Sequence, residues 1–219
     1  MDISALIQRL YKRPEVKALE DTKDDNPYHA EPSVMHHTKS VESEITKYLE
    51  ENKTDYLSEK IGRYTRAELL RITAVLHDIG KSMHYIDDEN KLVPVLTRKE
   101  NGDTTCKKHP EVGAAVAYEI LIDEGLSDEE ASYVADVIHN HMRIHHLLQA
   151  LEETKRVTRA VNRTRNKLND FYLDVLMHTR ADLAGSEHRA DYKENFITLD
   201  ESTFTEIEFI DYLILKNKN

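Results

Sequence analysis

The residues of this chain that could do chemistry are histidines and aspartates. His77 and Asp78 stand side by side in AVLHDIGKSMH (Ala74–His84), directly after the apolar positions Ile72, Val75 and Leu76. A helix core has no use for such a pair: either it binds something, or it is an ordinary polar helix end. The same residue types recur along the chain: His37 ahead of the pair, His109 in KHPEVG, His141 in VIHNHMRIHHL, and Asp182 near the end. Imidazole nitrogens and carboxylate oxygens together make the donor set of a divalent transition metal. One histidine on an apolar face is usually a hydrogen-bonded core or surface residue. The order His, His-Asp, His, His, Asp, each on an apolar helical face, points instead to a shared site.

Helices must position these groups. Six glycines and five prolines in 219 residues leave few breakers, and apolar spacing of helical period recurs throughout. His37, Val41, Ile45 and Leu49 share one face, and a helix from about Thr65 to His77 buries Leu69, Ile72, Val75 and Leu76. His109 opens another helix. Ser127-Asp-Glu-Glu130 is a capping box, and Val134, Val137, Ile138 and His141 follow on one face. A late helix carries Leu168, Phe171, Val175, His178 and Asp182 in one stripe. The exception is YIDDENKLVPVLTRKENGDTTC, where turn-forming pieces bracket a short run of strand character; it predicts a small β-hairpin around residues 85–106. Glu20–Asn26 (EDTKDDN) reads as a solvated loop.

Bulk properties narrow the class. A hydrophobic fraction of 39% suits a globular protein with a charged surface. No apolar run approaches the roughly 20 residues of a membrane helix, and MDISALIQRLYKR lacks the layout of a secretion signal. The single cysteine, Cys106, leaves no internal disulfide framework and predicts a reducing, cytoplasmic setting. A formal charge of −11 argues against non-specific coating of nucleic acid.

The ordered residues resemble the HD superfamily of metal-dependent phosphohydrolases, whose signature is His … His-Asp … Asp on a helical core. The resemblance covers about Asn26–Ser186, and HDIGK at His77–Lys81 is typical of the family. It implies an all-α fold: one HD-domain helical bundle over residues 1–219, with helical extensions at both ends and the hairpin as an insertion. The chain is more closely similar to the HD domain of bacterial tRNA nucleotidyltransferases. There a His-x-Glu precedes a His-Thr as in HAEPSVMHHT (His29–Thr38), which makes His37 rather than His36 the first ligand. The same relatives carry a His-x-x-x-His pair, matched by His141 and His145, and an Ala-Asp, matched by Ala181 and Asp182. No nucleotidyltransferase domain precedes Met1, so a free-standing HD domain is expected. Cyclic-di-GMP phosphodiesterases of the Gly-Tyr-Pro type are disfavoured, since no His-His-Glu and Gly-Tyr-Pro follow His141. Alarmone hydrolases lack support too, because no Glu-Asp pair follows His77-Asp78 closely.

Phosphate esters are anionic and resist attack, so an enzyme must neutralise charge and supply hydroxide near neutral pH. A divalent metal does both, lowering the pKa of its water from about 15.7 toward ~7. His37, His77, Asp78 and Asp182 are expected to hold one ion; His109 and His141 would complete a second, with Asp78 bridging. Iron, manganese, cobalt, nickel or zinc suits such a site, magnesium is allowed, and one or two ions stay open. Lys81 is positioned to meet a phosphate oxygen or leaving group; the other reading is an exposed cation favoured by a helix C-terminus. His145 is expected to donate a proton or contact substrate. His36, His84, His139, His146, His178 and His188 are left as structural or surface residues.

Lys155–Lys167 (KRVTRAVNRTRNK) holds six basic residues and no acidic one. It is a solvated helix face, or Arg156, Arg159 and Arg163 form one ridge toward a nucleotide or RNA phosphate. Two functions follow. One is a phosphohydrolase cleaving phosphomonoester or phosphodiester bonds, 2′,3′-cyclic phosphates included, of nucleotides or RNA termini. The other is a non-catalytic nucleotide- or RNA-binding module with a structural metal. No membrane partner is expected, and the oligomeric state is open.

Overall fold

Side-chain caps and apolar stripes set the helices around the histidines in the computed structural model, which describes residues 2–152, 156–199 and 202–217. Helix α1 (Ile3–Leu10) and the single turn α2 (Pro14–Lys17) lead into a loop carrying Asp24, His29 and Glu31. Helix α3 (Val34–Glu51) starts at Ser33, whose hydroxyl accepts the His36 N–H, and buries His37, Val41, Ile45 and Leu49. A single turn, α4 (Asp55–Ser58), and the hairpin β1 (Lys60–Ile61) and β2 (Tyr64–Thr65) follow. Thr65 and Glu68 then close a capping box on α5 (Arg66–Leu76). Its buried Leu69, Ile72, Val75 and Leu76 pack on α3 and on α7 (Asp128–Asn140). Between them in sequence lies α6 (His109–Asp123), which packs along α7. After α8 (Met142–Glu152) and α9 (Val157–Leu168), α10 (Tyr172–Ala184) lies against α3 and α11 (Glu206–Asn217). The fold is an all-α bundle with small hairpins, and no described helix is long and apolar enough to cross a membrane.

Three local expectations are corrected. Residues 84–105 form two hairpins rather than one: β3 (His84–Ile86) with β4 (Leu92–Pro94), and β5 (Thr97–Arg98) with β6 (Thr104–Thr105). The first turn is closed by the Asp87 carboxylate, which accepts the Glu89 and Lys91 N–H groups; the buried Val95 separates the two hairpins. The C-terminal extension also includes a hairpin, β7 (Phe196–Leu199) with β8 (Ser202–Thr205). Finally, the stripe from Leu168 to Asp182 is not one helix, because Asn169 takes φ 47° and ends α9.

The close approach of two glycines fixes the turn after Asp78. Ile79–Ser82 forms a 3-10 turn that packs on the first turn of α6. A Cβ on Gly80 would collide with the His109 carbonyl and lie 2.8 Å from the Gly113 nitrogen; one on Gly113 would lie 3.2 Å from the Gly80 nitrogen. Only glycine lets the two backbones meet there, and that contact sets His77 and Asp78 against His109.

Candidate metal centre

His77 and His141 occupy the C-terminal caps of α5 and α7, and His109 is the first residue of α6. Each imidazole bonds a nearby backbone carbonyl, although those of Cys106 and Ile138 also accept a backbone N–H. The Nδ1–H groups donate to the carbonyl three residues back: His77 to Ala74 at 2.9 Å, His109 to Cys106 at 2.6 Å and His141 to Ile138 at 2.6 Å. This orients each ring and points its Nε2 inward. His37 lies inside α3, and its Nδ1 is not bonded to a backbone carbonyl. The buried carboxylate of Glu31 faces its Nδ1 instead, at 3.2 Å.

These atoms converge on Asp78. Its Oδ2 lies 3.3 Å from His77 Nε2 and 3.8 Å from His37 Nε2, and its Oδ1 lies 3.5 Å from His109 Nε2. His37 Nε2 is 2.8 Å from Asp182 Oδ1, and His145 Nε2 is 2.9 Å from Asp182 Oδ2. His109 Nε2 and His141 Nε2 stand 3.0 Å apart. The donor atoms of His37, His77 and Asp78, and those of Asp78, His109 and His141, each lie within 4.8 Å of one another. Asp78 belongs to both groups, one oxygen toward each.

The donor set fits divalent cations. With both Nδ1–H groups committed to carbonyls, the facing Nε2 atoms of His109 and His141 are two lone pairs, which repel unless a cation lies between. Burial lowers the His109 pKa to about 4 and, together with His109 and His77, drives that of His141 well down, so neither ring carries a charge of its own near neutral pH. His77 Nε2 is buried without a hydrogen bond, and the ring nitrogens of His37 meet only carboxylates, Glu31 at 3.2 Å and Asp182 at 2.8 Å. Ligands about 2.0–2.2 Å from one ion sit roughly 3 Å apart, comparable to the 2.8–3.5 Å separations above. Burial opposes charge on His37, yet Asp182, Glu31 and Asp78 outweigh it and raise its pKa to about 10. Burial also opposes ionisation of Asp78 and Asp182, but Lys81 and His77 hold the first, and His145 and His37 the second, well below the carboxylate range.

Lys81 is not the exposed cation of a helix end. It is buried, with Nζ 2.9 Å from Asp78 Oδ2 and 2.7 Å from Asp24 Oδ2, and the two carboxylates outweigh burial to keep it protonated. Asp24 is correspondingly not part of a solvated loop: it is buried, accepts from the Thr104 hydroxyl and from Asn26 Nδ2, and its carboxyl is held at about 2. The cluster opens through Asp78, Lys81, His109, His141, His145 and Asp182 into a cavity of about 450 Å³, rimmed by Tyr28, His139 and His188.

The structure thus brings His37, His77, Asp78, His109, His141, Asp182, Lys81 and His145 together. Arg156, Arg159 and Arg163 are elsewhere, in a groove between α8 and α9; Lys155, the start of that basic stretch, lies outside the described residues. Sequence reasoning missed Asp24 and Glu31, and for Glu31 the signal was present in the His-x-Glu spacing. It also left His178 as an ordinary residue. That ring is wholly buried, its centroid 5.0 Å from His77 and 5.8 Å from His141, with neither nitrogen hydrogen-bonded.

Known proteins resemble this chain over part of its length. The HD domain family model matches residues 34–164. An 80-residue segment, 36% of this chain, is 35% identical to the bifunctional uridylyltransferase/uridylyl-removing enzyme of Vibrio atlanticus (strain LGP32), and covers 7% of that enzyme's length.

Proposed function

Because the chain belongs to the HD domain family, we propose that it is a phosphohydrolase using two divalent cations, held by His37, His77, Asp78 and Asp182 and by Asp78, His109 and His141. The observation that carries this reading is the pair of uncharged, inward-facing Nε2 atoms of His109 and His141, 3.0 Å apart beside Asp78 Oδ1. Ions of this kind neutralise phosphoryl oxygens and make a water acidic enough to attack near neutral pH. Manganese, iron, cobalt, nickel or zinc suits the imidazole-rich set better than calcium.

The chain's own groups supply the rest. Lys81, locked in its protonated form by Asp24 and Asp78, donates to a phosphoryl oxygen and cannot serve as a base. Water adds to phosphorus, the ester P–O bond breaks, and the leaving oxygen takes a proton from His145, which Asp182 orients. Asp182 thereby ties the proton donor to His37 through its two oxygens.

The substrate is a nucleotide or RNA terminus, carrying a phosphomonoester or a phosphodiester such as a 2′,3′-cyclic phosphate. The likeness of His29–Thr38 and Ala181–Asp182 to the HD domain of bacterial tRNA nucleotidyltransferases supports this. So does the similarity to an enzyme described as uridylyl-removing. Arg156, Arg159 and Arg163 are its further phosphate contacts, and the lone free Cys106 fits a cytoplasmic setting. The test is phosphate or nucleoside release from phosphomonoesters, phosphodiesters, cyclic nucleotides and nucleoside triphosphates, with metal stripped and then restored. Metal-restored hydrolysis that Asp78→Ala abolishes is expected. Metal binding without turnover on any of them would mean a non-catalytic binding module.

A further inference from the structure

α9 pairs few of its cations. From Arg156 to Leu168 it carries Arg156, Arg159, Arg163, Arg165 and Lys167 and no carboxylate, in a chain of formal charge −11. Arg159, Arg163 and Lys167 are exposed, and no carboxylate among the described residues pairs with them. They repeat every four residues, so they stand on one side of the helix, where like charges repel one another. Val157, Ala160, Val161, Thr164 and Leu168 occupy the inner face. The three cations line one wall of a groove of about 630 Å³, whose other wall is Arg143, His146, Leu147 and Ala150 of α8. Arg143 and His146 also line the cavity above Asp78, so groove and cavity adjoin at these two side chains.

We propose that this groove is a second anion site, built for a linear chain of phosphates whose end enters the catalytic cavity. The identification of that cavity as catalytic rests on the phosphohydrolase reading above. Four residues of helix rise about 6 Å, so Arg159, Arg163 and Lys167 offer three charges along about 12 Å, a row matched by successive phosphates rather than by one. Ala150 and Ala160 on the groove walls give small apolar surface between the charges. A single-stranded oligonucleotide supplies such a chain, with bases to lie on that surface; inorganic polyphosphate supplies the same charges without them.

Binding is measured by anisotropy of a fluorescein-labelled single-stranded oligonucleotide, with the full chain in EDTA so that hydrolysis plays no part, and with inorganic polyphosphate as competitor. Wild-type protein is expected to bind with an affinity falling steeply as salt rises. The triple variant Arg159→Gln, Arg163→Gln, Lys167→Gln should bind at least tenfold more weakly. Its log–log salt slope should be smaller by about 2, at roughly 0.7 for each phosphate that is no longer neutralised. The charge-keeping Arg159→Lys, Arg163→Lys variant should retain most of the affinity, which separates loss of charge from damage to the helix. Competition by polyphosphate as strong as by unlabelled oligonucleotide assigns the site to the phosphates alone. No binding of either at low salt, or undiminished binding by the Gln variant, overturns the proposal. Because the assay needs no turnover, a protein that binds but hydrolyses nothing would refute the catalytic reading and leave the groove standing.

Discussion

Gly80→Ala tests whether the backbone contact between the HDIGK turn and α6 sets the centre. The added Cβ would overlap the His109 carbonyl and lie 2.8 Å from the Gly113 nitrogen. Ordinary carbon contacts are about 3.5–4.0 Å, so the backbones must part by roughly 1 Å. Both obstacles are main-chain atoms of α6, which packs on α7 and buries Ala117, Ile120 and Leu121. Overpacking of this kind costs about 1–3 kcal/mol, which for a chain of this size lowers the melting temperature by roughly 2–12 °C. His109 sits on the displaced turn, with Nε2 3.5 Å from Asp78 Oδ1 and 3.0 Å from His141 Nε2. A movement of about 1 Å exceeds the ~0.5 Å that a working constellation tolerates. Thermal melting and calorimetric titration with manganese should therefore show a less stable protein that has lost one ion per chain. Gly113→Ala, whose Cβ would meet its nearest atom at 3.2 Å, should do the same more mildly. A Gly80→Ala protein with wild-type melting and wild-type stoichiometry would refute the reasoning.

His109→Ala should leave roughly one ion per chain by elemental analysis and cut hydrolysis by more than about 100-fold, beyond the usual effect of removing an outer partner of a ligand; unchanged metal content would make the centre mononuclear. Glu31→Gln should weaken metal binding about 10–100-fold with the fold intact, because the carboxylate 3.2 Å from His37 Nδ1 orients that ring. Calorimetry on the folded variant decides it. Glu130→Ala removes the partner of the Ser127 N–H and of Arg63, and should cost about 2–3 kcal/mol in urea unfolding. Burial opposes ionisation of Glu130, but Arg63 and the Ser127 N–H outweigh it and hold the carboxyl at about 2 against an ordinary 4.5. Its stabilisation is therefore full above pH ~4.5 and fades as pH falls toward 2, so the gap between wild type and Glu130→Ala should narrow between pH 7 and pH 3.

The helices and the ligand types were legible because they depend on spacing within a few residues. Ser127–Glu130 announced the start of α7, and the run through Leu76 announced that His77 ends a buried helix. Features that depend on distant partners were not legible. Asp24 sits in a stretch of six polar or charged residues after Glu20, and nothing local says that Lys81 and Thr104 bury it. Lys81 looked equally suited to solvent until both its carboxylates were in place. A hairpin was legible around residues 85–106, but its division into two was not, because strands of two or three residues have no periodicity to detect. Arg159 and Arg163 gave their shared face by spacing alone, whereas the opposite wall, Arg143 and His146, came only from the packing of α8 on α9.

Anomalous diffraction from crystals of the full chain grown with manganese tests the central claim most directly. Two peaks are expected, one on each side of the Asp78 carboxylate. One should lie about 2.0–2.3 Å from donors of His37, His77 and Asp182, the other at the same distance from His109 and His141. No peak in this cluster, or peaks with Asp78 outside ligand distance of both ions, would contradict it.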